Sequence, residues 1–272
     1  MRAQLSGFLG RGREGRGDWL LLRMRMRRGV WPVAGPTLAG GVLFFVYSGL
    51  TWVLAAGFVD NSITATAYYL APAAIGAAGV QGGAVVRARA GWQTETAARG
   101  PLAVASLELA PVVLWPLCLA ASLTALLCLP TAFGSRSYLS PAELLDGAPV
   151  QLLLPPCILT VVCCAAHVVG RLLPHRVTGP LTAAAWAYLL FATADFYDVG
   201  AVVHIAGQGI SPDFGGSPLF PQPPSPLCWL SLAPPLLATA ACVLLTARQW
   251  RRAVLLLAAT ALSLWALSKA FV

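Results

Sequence analysis

The basic residues of this 272-residue chain alternate with its apolar runs, and that alternation limits the fold more than any motif does. Seven hydrophobic stretches, each of about 20 residues and so close to the thickness of a bilayer's hydrocarbon layer, are separated by polar gaps. Of the 18 basic residues, 16 fall in the N-terminal segment and in every second gap: 87–100, 171–176 and 247–252. The intervening gaps hold Asp60, Glu143, Asp146, Asp195, Asp198 and Asp213, six of the ten acids. Cytoplasmic loops retain Arg and Lys, so this pattern predicts a multi-pass membrane protein with its N-terminus in the cytoplasm.

The predicted fold is an all-α polytopic bundle. Its spans are expected at 37–59, 62–86, 101–129, 149–169, 177–193, 227–246 and 253–272, preceded by an Arg-rich cytoplasmic tail over 1–35. An open sheet is excluded in lipid, because backbone N–H and C=O groups there must be satisfied within their own segment. Pro111 and Pro116 predict tilting or kinking of the third span. Gly76, Gly79 and Gly83 line the second, and the last two have a small-xxx-small spacing that allows close helix approach. Seven spans place the C-terminus outside; six follow if the last run lies in the interface.

Composition supports the membrane class. Hydrophobic residues make up 58% of the chain and charged residues 10%. A soluble domain carries about 25% charged residues, so this chain cannot cover a water-facing surface. The net charge of +8 sits at span ends and near the N-terminus, which fits retention beside anionic headgroups rather than nucleic-acid binding. Every basic residue except Lys269 is arginine; with the abundant Ala, Gly and Pro, this points to a GC-rich bacterial genome and hence to the inner membrane. A P-loop needs a Lys after its second Gly, and Lys269 lies in an apolar run, so the chain is not its own ATPase.

The first 35 residues do not read as a cleavable signal. Eight Arg are scattered through 1–28, and the apolar run 19–22 is too short for a signal's apolar core. Residues 19–28 are expected on the inner membrane surface. The seven Cys lie almost wholly in apolar stretches, without C-x-x-C or zinc-like Cys/His spacing, and read as small buried apolar residues. No nucleophile elbow or cofactor array appears; the chain does not read as an enzyme and no cofactor is expected.

The gap after the second span reads Arg87-Ala-Arg-Ala-Gly91-Trp92-Gln93-Thr94-Glu95-Thr96-Ala97-Ala98-Arg99-Gly100-Pro101. A short helix here would expose an aromatic anchor and charges of both signs, the composition of a partner contact; the alternative is a solvated loop whose Arg residues only set topology. The turn after the fourth span reads Gly170-Arg-Leu-Leu-Pro-His-Arg176, with Pro180 beyond it, and a long segment separates spans five and six. On these three features, residues 37–246 resemble the integral-membrane subunits of ABC-2-type exporters. The resemblance implies a permease that pairs with itself or a second permease. It further implies that Trp92, Thr94, Glu95 and Arg99 lie on a coupling helix that docks a separate P-loop ATPase. Ala88 and Ala90 stand where many of these permeases carry an acid, and the seventh span exceeds their usual six. A non-transporting membrane scaffold is the alternative from another class.

Two polar residues interrupt apolar runs. Glu108 lies about two turns into the third span, where an ionised carboxylate is costly. It is either the centre of a proton-coupled carrier or a carboxylate paired with Arg87, Arg89 or Arg171, and its shallow depth favours pairing. His167, near the inner end of the fourth span, is its candidate partner. On the opposite side, Asp195 and Asp198 stand three residues apart with His204 nearby; a metal site needs more converging ligands, so they read as polar residues of an external segment.

Overall fold

The computed structural model describes residues 19–55, 69–88, 100–133, 148–194 and 232–270, and every element among them is helical. The helices are α1 (Gly35–Ala55), α2 (Ala71–Arg87), α3 (Pro101–Phe133), α4 (Ala148–Leu172), α5 (Thr178–Ala194), α6 (Ala233–Thr246) and α7 (Trp250–Ala270). They fall on the seven apolar runs. Among the described residues, Pro101–Leu123 is long and apolar enough to cross a membrane, with a mean hydropathy of 1.9. Pro156–Leu172 and Ala233–Thr246 are apolar but shorter.

The first helix begins earlier than its apolar run. Residues 19–29 are helical and pass through a π-turn, Val30–Ala34, directly into α1. The π-turn has a local cause. Pro32 and Pro36 lack the N–H that would continue the ordinary i→i−4 ladder. Instead the Gly35 N–H donates to Val30 O, one residue further back, and the Thr37 hydroxyl donates to Val33 O at 2.7 Å. The segment 19–29 also packs on α3. The Trp115 indole N–H donates to Met26 O at 3.0 Å, and Gly29 lies against Pro111 and Trp115 of α3.

Helix α2 is the hub of the bundle, packing most extensively on α4 and α5. Its glycines set that closeness. A Cβ on Gly82 would strike the backbone carbonyl of His167, and one on Gly170 would strike the carbonyl of Gly79. Gly179 of α5 stands against Gly76 O and Val80 in the same way. Where the two backbones touch, no side chain fits between them. The remaining core is apolar, with Phe44 set edge-on to Tyr69 at 5.3 Å and with Leu70, Ile75, Val112 and Leu159 buried in the same cluster. α3 runs unbroken through Pro111 and Pro116, both buried. Cys163, Cys164 and Cys242 are buried among apolar neighbours as expected, whereas Cys118 is exposed.

Helices α6 and α7 form a hairpin closed by a tight turn. The Arg248 N–H donates to Leu245 O at 3.0 Å and the Gln249 N–H to Leu244 O at 2.8 Å. This pair of bonds is the Schellman motif, whose left-handed residue is usually glycine. Here it is Arg248, with φ of 60°. A side chain in that conformation costs about 1–2 kcal/mol.

Candidate functional site

Glu108, on the second turn of α3, is 4% exposed. Two side chains of α4 close over it. His167 and Arg171 are four residues apart and so share one helical face. His167 Nε2 lies 3.0 Å from Glu108 Oε1. A single guanidinium nitrogen, Arg171 Nη1, donates to both carboxylate oxygens at 2.9 Å. Arg25, from the N-terminal helical segment, lies within electrostatic reach of the same carboxylate.

His167 is completely buried, and Arg171 keeps about a fifth of its side chain exposed. The arrangement therefore runs from a dry imidazole to a wet guanidinium, with the carboxylate between them. Facing a carboxylate oxygen, Nε2 is assigned as the protonated nitrogen. His167 Nδ1 and Gln81 Oε1, on the facing helices α4 and α2, are buried and find no hydrogen-bond partner among the described residues. The chemistry available is charge compensation between α3 and α4.

The glycine contacts explain why these groups meet. Gly82 lets α2 press on the backbone at His167, and Gly83 sits against Gly170 and Pro174. Arg87, at the end of α2, donates from Nη1 to Pro174 O at 3.2 Å in the turn after α4. Gly79 contacts Thr182 and Gly179 near the start of α5, and Cys164 and Val168 of α4 share an apolar cluster with Cys242 of α6. The ends of α2, α4 and α6 and the starts of α3, α5 and α7 are thus gathered at one end of the bundle. Arg87, Arg171, Arg176, Arg248, Arg251 and Arg252 lie at that end, and Arg25 is within electrostatic reach of Glu108 there.

The two polar candidates within apolar runs, Glu108 and His167, are therefore brought together, with Arg171 chosen from the three arginines offered as partners. Trp92, Thr94, Glu95 and Arg99 lie outside the described residues, as do Asp195 and Asp198. On the described residues either side of the first four, Arg87 donates to Pro174 O, and Val104 N–H donates to Gly100 O in the first turn of α3 at 3.3 Å. Sequence reasoning missed Gln81, the reach of Arg25 and the approach at Gly82. The glycine pattern around Gly82 was the signal available for the last of these. No group of three or more His, Cys, Asp or Glu suited to a metal occurs among the described residues. Compared with known proteins, the chain matches no family model, no curated protein and no solved structure.

Proposed function

We propose that the chain is a multi-pass protein of the bacterial inner membrane, with its arginine-bearing end in the cytoplasm, acting as the membrane-spanning permease subunit of an ABC-2-type exporter. The observation that carries this reading is the gathering of arginine at the end of the bundle where α2, α4 and α6 finish. Basic residues resist translocation, so that end faces the cytoplasm. The segment between α2 and α3 leaves α2 at that end, beside Arg87 with its bond to Pro174 O, and enters α3 there at Gly100. A soluble P-loop ATPase would meet Trp92, Thr94, Glu95 and Arg99 on it. Closure of that ATPase would move α2 and α3 directly, because the loop joins them. The working unit is a pair of permease subunits, two copies of this chain or this chain with a second permease.

The test is affinity capture of the tagged chain from native membranes. The parent is expected to recover a P-loop ATPase, and Trp92→Ala with Glu95→Ala to lose it while remaining in the membrane. Recovery of no ATPase, or a double variant with unchanged capture and transport, contradicts the exporter reading. A proton-coupled carrier is the second reading, favoured by the 3.0 Å approach of His167 to a buried Glu108. Glu108→Gln is expected to abolish pH-dependent transport on that reading; unchanged activity and pH profile remove it.

A further inference from the structure

We propose that Glu108 exchanges cationic partners when the segment between α2 and α3 is driven, leaving Arg171 of α4 for Arg25 of the N-terminal helical segment. The exchange makes the contact between α3 and α4 a joint. The driving force, though not the joint itself, rests on the exporter reading above. Two kinds of seam hold the bundle. Helices α1, α2, α4 and α5 meet backbone on backbone: Gly40 lies against Tyr69 O, Gly82 against His167 O, Gly170 against Gly79 O and Gly179 against Gly76 O. A carbonyl seated where a Cβ would stand leaves little room to slide, because the residues beside each glycine carry side chains. These four helices form one block. α3 contains no glycine. It packs little on α2 and meets α4 through side chains, Leu109 with Cys164 and Val168 in one cluster and Glu108 with His167 and Arg171. Packed side chains of this kind shift between discrete arrangements by small sliding of one helix on another. The segment between α2 and α3 joins a helix of the block to the helix outside it. Its displacement therefore falls on the contact of α3 with α4.

A buried carboxylate parts from its cation at a high cost unless another takes its place. Arg25 supplies the replacement. It lies within electrostatic reach of Glu108, and its own segment is fastened to α3 by the Trp115 bond to Met26 O at 3.0 Å and by Gly29 against Pro111. The π-turn Val30–Ala34 separates this segment from α1, and a helix bends at such a bulge. Arg25 therefore travels with Glu108, whereas Arg171 and His167 stay with the block. Arg171 already keeps about a fifth of its side chain exposed, so water receives its guanidinium when the pair opens. Paired with Arg171 or paired with Arg25, the carboxylate has two arrangements, and displacement of the segment biases one against the other.

The test is the distance between spin labels in the full chain, captured with its ATPase and held in lipid nanodiscs. Labels on Leu102→Cys and Leu173→Cys straddle the joint, and labels on Val86→Cys and Leu173→Cys lie within the block; all three positions are exposed. Trapping the ATPase with ADP and vanadate is expected to lengthen the 102/173 distance and to leave the 86/173 distance unchanged. Arg25→Gln should keep 102/173 short in the trapped state, and Arg25→Lys should restore the lengthening. Arg27→Gln, at an exposed arginine of the same segment, should behave as the parent. A parental 86/173 distance shows that each variant keeps its fold. In the chain alone, Glu108→Gln with Arg171→Gln removes the pair without stranding a charge, and should lengthen 102/173 by itself. The joint is overturned if 102/173 stays fixed on trapping, if 86/173 moves with it, or if Arg25→Gln opens like the parent. Capture of an ATPase with a fixed 102/173 distance sinks this inference and leaves the exporter reading standing. Where no ATPase is captured, the exporter reading fails, and an unchanged 102/173 distance in the double variant overturns the joint as well.

Discussion

Glu108, His167 and Arg171 form the one described cluster in which breaking a single contact leaves a buried charge. An ordinary interhelical hydrogen bond in a membrane contributes about 0.6 kcal/mol. Removing one partner of a buried ion pair costs about 3–5 kcal/mol, because the other charge is stranded. Arg171→Ala is therefore expected to lower thermal stability in detergent far more than loss of a surface arginine such as Arg252. Glu108→Gln together with Arg171→Gln should recover much of the loss, since no charge is then unpaired. If Arg171→Ala melts like the parent, the pair carries no structural weight. Glu108 and His167 were legible as polar residues in apolar runs near the same end, and Arg171 lies one turn beyond His167. Gln81 was not legible, because a glutamine near a helix end reads equally well as an interfacial residue.

The seam between α2 and α4 depends on glycine at the points of backbone contact. Gly82→Ala and Gly170→Ala each force a methyl group into a carbonyl of the facing helix. Overpacking of this kind costs about 1–3 kcal/mol. Both substitutions should lower the unfolding temperature and loosen the Glu108 cluster behind the seam. Gly100→Ala, with open space around its Cβ position, is the control and should be neutral. Equal effects at all three positions would contradict the account. Helix positions were largely legible, since apolar runs of bilayer length leave few alternatives: the expected 149–169 and 177–193 became Ala148–Leu172 and Thr178–Ala194. The helix upstream of Gly35 was not. Its apolar residues do not form one face, and it is held by tertiary contacts, the Trp115 bond to Met26 O and the fit of Gly29 on Pro111. The π-turn followed from Pro32 and Pro36, but only once the helix on both sides was known.

Across the bundle, charge and packing agree. The alternation of arginine with apolar runs predicted that certain gaps share one side. The contacts of Arg87 with Pro174, of Arg171 with Glu108 and of Cys164 with the Cys242 cluster put the helix ends beside those gaps together. The proposal that this end faces the cytoplasm is inferred from charge alone, and the function proposed depends on it. Access to an impermeant thiol reagent in intact cells tests it most directly, using Thr94→Cys and Asp195→Cys in a background free of other reactive thiols. The account expects position 195 to be labelled in intact cells and position 94 only after permeabilisation. Labelling of position 94 in intact cells would contradict it.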